Sequence, residues 1–108
     1  MLILRAVIRP EKVDDVLAAL LEAGYTSVTK MDVYGRGKQK GIKIGEVFYD
    51  ELPKVMLMMV IEDESEEKIV NIIFKNAKTG ANGNFGDGRI FISPVSKAYT
   101  ISNMSEGL

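Results

Sequence analysis

The chain has 108 residues, 46% of them apolar and 27% charged, and a formal net charge of −1. That is the composition of one ordinary globular domain, and it excludes a surface that neutralises nucleic acid as a whole. There is no Cys and no His, which excludes disulfides, thiolate metal sites, a Cys nucleophile and imidazole as general base or metal ligand. A hard cation held by oxygens, such as Mg²⁺ riding on a phosphate, stays open.

The opening run "MLILRAVI" is short and interrupted by Arg5, so residues 2–9 are expected to form a strand and not a signal peptide. Pro10 sits where a helix would start. Val13, Val16, Leu17, Leu20 and Leu21 then follow the helical period, and Gly24 is its natural stop. Residues 26–33 alternate and predict a second strand. The stretch "YGRGKQKGIKIGE" (34–46) interleaves glycines with cations and has no carboxylate before Glu46. Residues 54–62 predict a third strand, and the apolar run 55–61 within it is too short to span a bilayer. Asp63 and Glu66 have capping-box spacing. Ile69, Ile72, Ile73 and Ala77 mark a second helix ending near Gly80. "TGANGNFGDG" (79–88) is a glycine-rich loop. Residues 89–95 predict a fourth strand, and the tail from 96 has no clear period.

The order β-α-β-β-α-β predicts an α+β, ferredoxin-like split βαβ sandwich with both helices on one face of an antiparallel sheet. The opposite face should be polar, and the sequence disagrees. In the third strand Val55, Leu57, Met59 and Ile61 point one way while Met56, Met58 and Val60 point the other. The first strand sets Ile3 and Val7 against Leu2, Leu4 and Ile8. A sheet apolar on both faces needs a second cover, so an oligomer packed through its sheets is expected.

Three features fall at strand ends: "GRGKQKG" (35–41), Lys54, and the loop 79–89. Glycines let backbone N–H groups approach an anion, and Lys or Arg supplies charge. Neither loop is a Walker A loop or a Rossmann fingerprint. Together, with Lys54 and Arg89 flanking them, they predict an anion site. Asp87, the lone carboxylate of its turn, would also shape "GDG" by itself as an Asx turn.

"VIRPEKVDDVLAALLEAG", "GRGKQKG", "LPKV" and "TG…GDGRIFISPV", in this order, resemble the nitrogen regulatory PII signal-transduction family over about residues 1–97. The compact "GEVFYDELPK" and the ending "KAYTIS" are most similar to the archaeal nif-operon PII-like subgroup, which switches nitrogenase off. The resemblance implies one PII-like domain over 1–108, with a T-loop about 36–52, a B-loop about 79–89 and a C-terminal tail about 97–108. It implies a cytoplasmic homotrimer with sheets facing the centre, or a hetero-oligomer with a PII-like paralogue. It implies ATP or ADP with Mg²⁺, 2-oxoglutarate as effector, no catalysis, and a target that is the dinitrogenase component. Thr29, Gly35, Gly37, Lys38, Gln39, Thr79, Gly86, Asp87, Gly88 and Arg89 match nucleotide-site positions. Gln39, Lys54 and Gly86 match the 2-oxoglutarate site, and Gln39 matches the Mg²⁺ ligand.

This chain departs from the family pattern in places. The T-loop is short, and no Tyr falls in register with the uridylylated tyrosine, so Tyr49 is not expected to be modified. Extra residues "ANGNF" precede "GDG". Thr100 and Ser102 stand where the family has two phosphate-contacting arginines. Lys38 and Arg89 exchange Arg for Lys and Lys for Arg, which keeps charge but alters fork geometry. The alternative reading is a small RNA-binding module of the same strand order using the basic loop 35–43. Against it stand a sequence pI near 5.5 and Phe91 as the sole aromatic of the central strands.

Overall fold

The structure, a computed structural model, describes residues 1–36 and 51–108 and, as backbone, the strands at 42–44 and 47–49. The elements in chain order are β1 (Leu2–Ile8), α1 (Val13–Glu22), β2 (Thr29–Gly35), β3 (Ile42–Ile44), β4 (Val47–Tyr49), β5 (Leu52–Ile61), α2 (Glu66–Ala77), β6 (Gly88–Pro94), β7 (Tyr99–Thr100) and β8 (Ser105–Glu106). Short 3₁₀ turns, Pro10–Lys12 and Asp63–Ser65, lead into the two helices.

The main sheet has four antiparallel strands in the order β2-β5-β1-β6, the ferredoxin-like arrangement expected. β1 alternates cleanly: Leu4, Ala6 and Ile8 are buried, and Ile3, Arg5 and Val7 are half-buried on the other side. Val55, Leu57, Met59 and Ile61 of β5 join the first set. Val13, Val16 and Leu20 of α1 and Ile69, Ile73 and Ala77 of α2 close over them as one core. Both helices are amphipathic, so burial of their apolar stripes drives the two-layer packing.

The opposite sheet face is largely apolar, with Arg5 and Thr29 among its side chains, and neither helix covers it. Register pairs Met31 with Met56, Thr29 with Met58, Arg5 with Met58 and with Phe91, and Ile3 with Val60. Directly paired residues share a face, so these side chains form a continuous surface. Phe91 is 55% exposed there.

Several boundaries differ from the sequence expectations. Helix α1 stops at a Schellman motif: Tyr25 N–H donates to Leu20 O at 2.8 Å, Gly24 N–H donates to Leu21 O at 3.0 Å, and Gly24 has φ +95°. Tyr25 and Val28 then pack on the core, and β2 begins at Thr29 and not at residue 26. Helix α2 ends at Ala77, short of Gly80, because Lys78 turns to an extended ψ of 140°. Asp63 makes no side-chain cap to α2; its carboxylate accepts from the Met1 amine at 2.6 Å. The tail holds a β7–β8 hairpin that its sequence did not announce. Within the glycine-basic stretch, β3 pairs with β4 as a second hairpin. No helix among the described residues is long and apolar enough to cross a membrane.

Candidate functional site

The register brings four strand ends to one end of the sheet. Ile8 pairs with Val55 and with Gly88, and Gly35 pairs with Leu52. Arg9 follows β1, Lys54 lies near the start of β5, and the loop 79–88 descends from α2 into β6. All three meet there.

Asp87 organises the loop. Its Oδ2 accepts from Thr79 N–H at 3.0 Å and from Asn84 N–H at 2.9 Å. Its Oδ1 accepts from the Thr79 hydroxyl at 2.6 Å and from Arg9 Nε at 3.0 Å. This explains the early end of α2: the Thr79 N–H leaves the helical ladder for a carboxylate. Asn84 Nδ2 donates back to Thr79 O at 3.2 Å and to Thr79 Oγ1 at 2.9 Å. Partial burial works against charge on Asp87. The hydrogen bonds from Thr79, Asn84 and Arg9 outweigh it and hold the carboxyl well below the usual range. Asp87 is therefore an anionic anchor inside the loop, with its oxygens already engaged.

Two cations from the central strands grip the loop from beneath. Arg9 Nη2 donates to the Phe85 carbonyl at 2.9 Å. Lys54 Nζ donates to the Gly86 carbonyl at 2.6 Å. Lys54 is only 9% exposed. Burial, and after it the charge of Arg9, lowers its pKa from the ordinary lysine value, with Glu11 and Asp87 opposing. Gly35 lies against the Lys54 stem: a Cβ there would sit 3.4 Å from Lys54 Cγ. Gly88 has φ +117°, and a Cβ on it would fall 1.8 Å from the Val7 carbonyl oxygen.

The structure thus brings together Gly35, Lys54, Thr79, Gly86, Asp87 and Gly88 of the expected site. Arg89 is next in line, exposed and paired with Val7. Thr29 is not in this cluster: it pairs with Met58, about 13 Å along β5 from Lys54 at strand rise. Gly37, Lys38 and Gln39 lie outside the described residues. Sequence reasoning missed Arg9 and Asn84. The available signal for Arg9 was a cation directly after an apolar strand, at the end where that strand would meet "GDGR".

The arrangement suits an anion, since it offers a glycine-rich backbone turn beside Lys54 and Arg89. The base of the segment 36–52 adjoins it. Arg36 Nη2 and Glu51 Oε1 are 3.5 Å apart across that base.

Residues 1–105 match the family model described as "Nitrogen regulatory protein P-II". The chain is 56% identical over 108 residues, covering both proteins fully, to "Nitrogen fixation nifHD region glnB-like protein 1" of Methanococcus maripaludis. It is 55% identical, again over the full length of both, to the protein of the same description from Methanobacterium ivanovii. Among solved structures it resembles Arabidopsis thaliana PII bound to citrate, with a TM-score of 0.78 and 30% identity, covering 98% of this chain and 84% of that one. A family match over almost the whole chain and relatives identical at more than half of their positions lead to one conclusion: this chain belongs to the nitrogen regulatory P-II family of signal-transduction proteins.

Proposed function

We propose that this chain senses nitrogen status by binding ATP or ADP with Mg²⁺ and, with Mg-ATP, 2-oxoglutarate, and that the ligands bias a T-loop at about 36–52 that docks on a target. The observation that carries this reading is the position of Lys54. Its buried ammonium lies on the Gly86 carbonyl, between the 79–88 loop and the base of the T-loop. A dicarboxylate reaching Lys54 would change contacts on both sides at once, which is how a ligand orders a neighbouring loop. Thr79, Gly86, Asp87, Gly88 and Arg89 form or flank the phosphate cradle, with Gly35, Gly37 and Lys38 at the T-loop base and Thr29 contributed across a subunit boundary. The Mg²⁺ would be held by ligand phosphates and Gln39, where it would draw in the keto acid and couple the two ligands. The nifHD-region descriptions of the relatives support a role in nitrogen fixation; the target we propose is the dinitrogenase component, held by docking and not by catalysis. The setting we infer is the cytoplasm.

Isothermal titration tests the ligand reading. The expected result is 2-oxoglutarate binding only in the presence of Mg-ATP, abolished by Gln39→Ala. Failure of both ligands to bind at millimolar concentration would overturn it, and Thr100 and Ser102 in place of arginines would then be the first suspects.

The apolar outer face of the sheet supports a homotrimer with sheets facing the centre, or the equivalent mixed oligomer with a PII-like paralogue. Met58→Asp puts a carboxylate into the middle of that face, between Thr29 and Arg5 in the register. Burying it costs about 3 kcal/mol or more per subunit. Sedimentation velocity should show monomers for the variant where the parent is a trimer. A variant that stays assembled would move the interface elsewhere.

A further inference from the structure

We infer that Arg9 is the positioning residue of the phosphate cradle: by gripping the Asp87 carboxylate and the Phe85 carbonyl together, it aims the Gly86 N–H outward as a donor to an anionic phosphate. The inference rests on the nucleotide reading above and adds to it a residue that touches no ligand.

The argument is stereochemical. The chain has no cis peptide bonds, so the Phe85 carbonyl and the Gly86 N–H point in opposite directions across one planar unit. Arg9 Nη2 pulls that carbonyl toward the end of β1 at 2.9 Å. The Gly86 N–H is thereby turned away from the protein body, and among the described residues it makes no backbone hydrogen bond. The neighbouring Asp87 N–H is already committed to Asn84 O at 3.2 Å. Gly86 has φ +95°, a conformation that only glycine adopts without strain. Arg9 Nε meanwhile holds Asp87 Oδ1 at 3.0 Å, with both side chains 18% exposed. Nε and Nη2 belong to one rigid plane, so the carboxylate and the carbonyl are fixed relative to each other. A Lys has a single point donor and cannot fix that relation. Lys54 holds the next carbonyl, that of Gly86, from β5. The two clamps come from adjacent central strands, so the loop inherits the rigidity of the sheet.

The test uses the full-length ¹⁵N-labelled protein, Arg9→Gln and Arg9→Lys, titrated with Mg-ATP and separately with inorganic tripolyphosphate. In the parent the Gly86 amide proton should move downfield on binding, as a proton newly donated to an anion does. In Arg9→Gln that movement should disappear and the Kd for Mg-ATP should rise about tenfold, the size of one charge-assisted contact. Arg9→Lys should keep the melting temperature within a few degrees of the parent yet recover only part of the affinity. It also carries the test if Arg9→Gln does not fold. Mg-ATP binding with a silent Gly86 amide, or with both variants binding like the parent, would overturn the role of Arg9 and leave the nucleotide reading standing. A Gly86 response to tripolyphosphate without ATP binding would do the reverse. Silence toward both ligands would overturn the two together.

Discussion

Gly88→Ala is expected to lower the melting temperature by roughly 10 °C or more. The new Cβ would lie 1.8 Å from Val7 O and 2.9 Å from Val7 C, well inside van der Waals contact. Neither partner can step aside. Val7 lies in β1, which is paired on both edges, to β5 through Met56 and to β6 through Arg89. Gly88 also has φ +117°, which costs a non-glycine residue about 1–3 kcal/mol by itself. Strain and overpacking together amount to about 3 kcal/mol or more; a domain of this size loses about 4 °C or more per kcal/mol. Thermal unfolding followed by circular dichroism checks this. Gly24→Ala is the control: it has φ +95° but nothing within 4 Å, so it should cost only the backbone strain. Equal losses at the two positions would show that the contact with Val7 is relieved at no cost.

Asp87→Asn should cost about 3 kcal/mol, because it turns an acceptor of four hydrogen bonds into a neutral amide that faces donors with donors. The one amide oxygen left can serve only one of the two donor pairs, so either the Thr79 and Asn84 N–H groups or the Thr79 hydroxyl and Arg9 Nε would lose their acceptor, and the loop 79–88 is expected to loosen. The same contacts predict a pH dependence of definite sign. The folded-state pKa of Asp87 is depressed below its ordinary carboxylate value. Its contribution is therefore fully present above the unfolded-state pKa of about 3.9 and is lost as pH falls from there toward the folded value. Urea midpoints measured from pH 7 down to pH 3 should fall more steeply for the parent than for Asp87→Asn. Parallel curves would mean that the carboxylate is not the group that stabilises the loop.

Most of the fold was legible because it rests on periodicity. The alternation of Leu4, Ala6 and Ile8, the helical spacing of Val13, Val16 and Leu20, and the stop at Gly24 are local patterns that the tertiary structure uses unchanged. The second apolar face was legible for the same reason. What could not be read depends on partners distant in sequence. Asp63 has capping-box spacing, yet its carboxylate is taken by the Met1 amine. The sequence sets the end of α2 near Gly80, yet Asp87, eight residues beyond Thr79, claims the Thr79 N–H and ends the helix at Ala77. Arg9 stands inside the stretch "VIRPEK", but nothing in that stretch ties it to the loop 79–88. Its role follows only from the pairing that sets Ile8 beside both Val55 and Gly88. The candidate site shows the same division. Its glycines, Lys54 and Asp87 announce themselves by residue type, whereas the clamp that holds them is made by through-space contacts between β1, β5 and the loop.

The strand order also bears on how the chain reaches this state. β1 is made first, but it lies between β5 and β6, with Leu2 opposite both Ile61 and Pro94. Neither edge of β1 can be filled until β5 has been made, so its pairing waits on long loop closures, from Ile8 to Val55 on one edge and from Ile8 to Gly88 on the other. Such non-local sheets fold more slowly than helical domains of equal size. The Arg9–Asp87 clamp belongs to the last of these closures. A nascent or partly unfolded chain would then carry the glycine loop without the geometry that makes it a cradle, and ligand affinity would report completed folding as well as ligand supply.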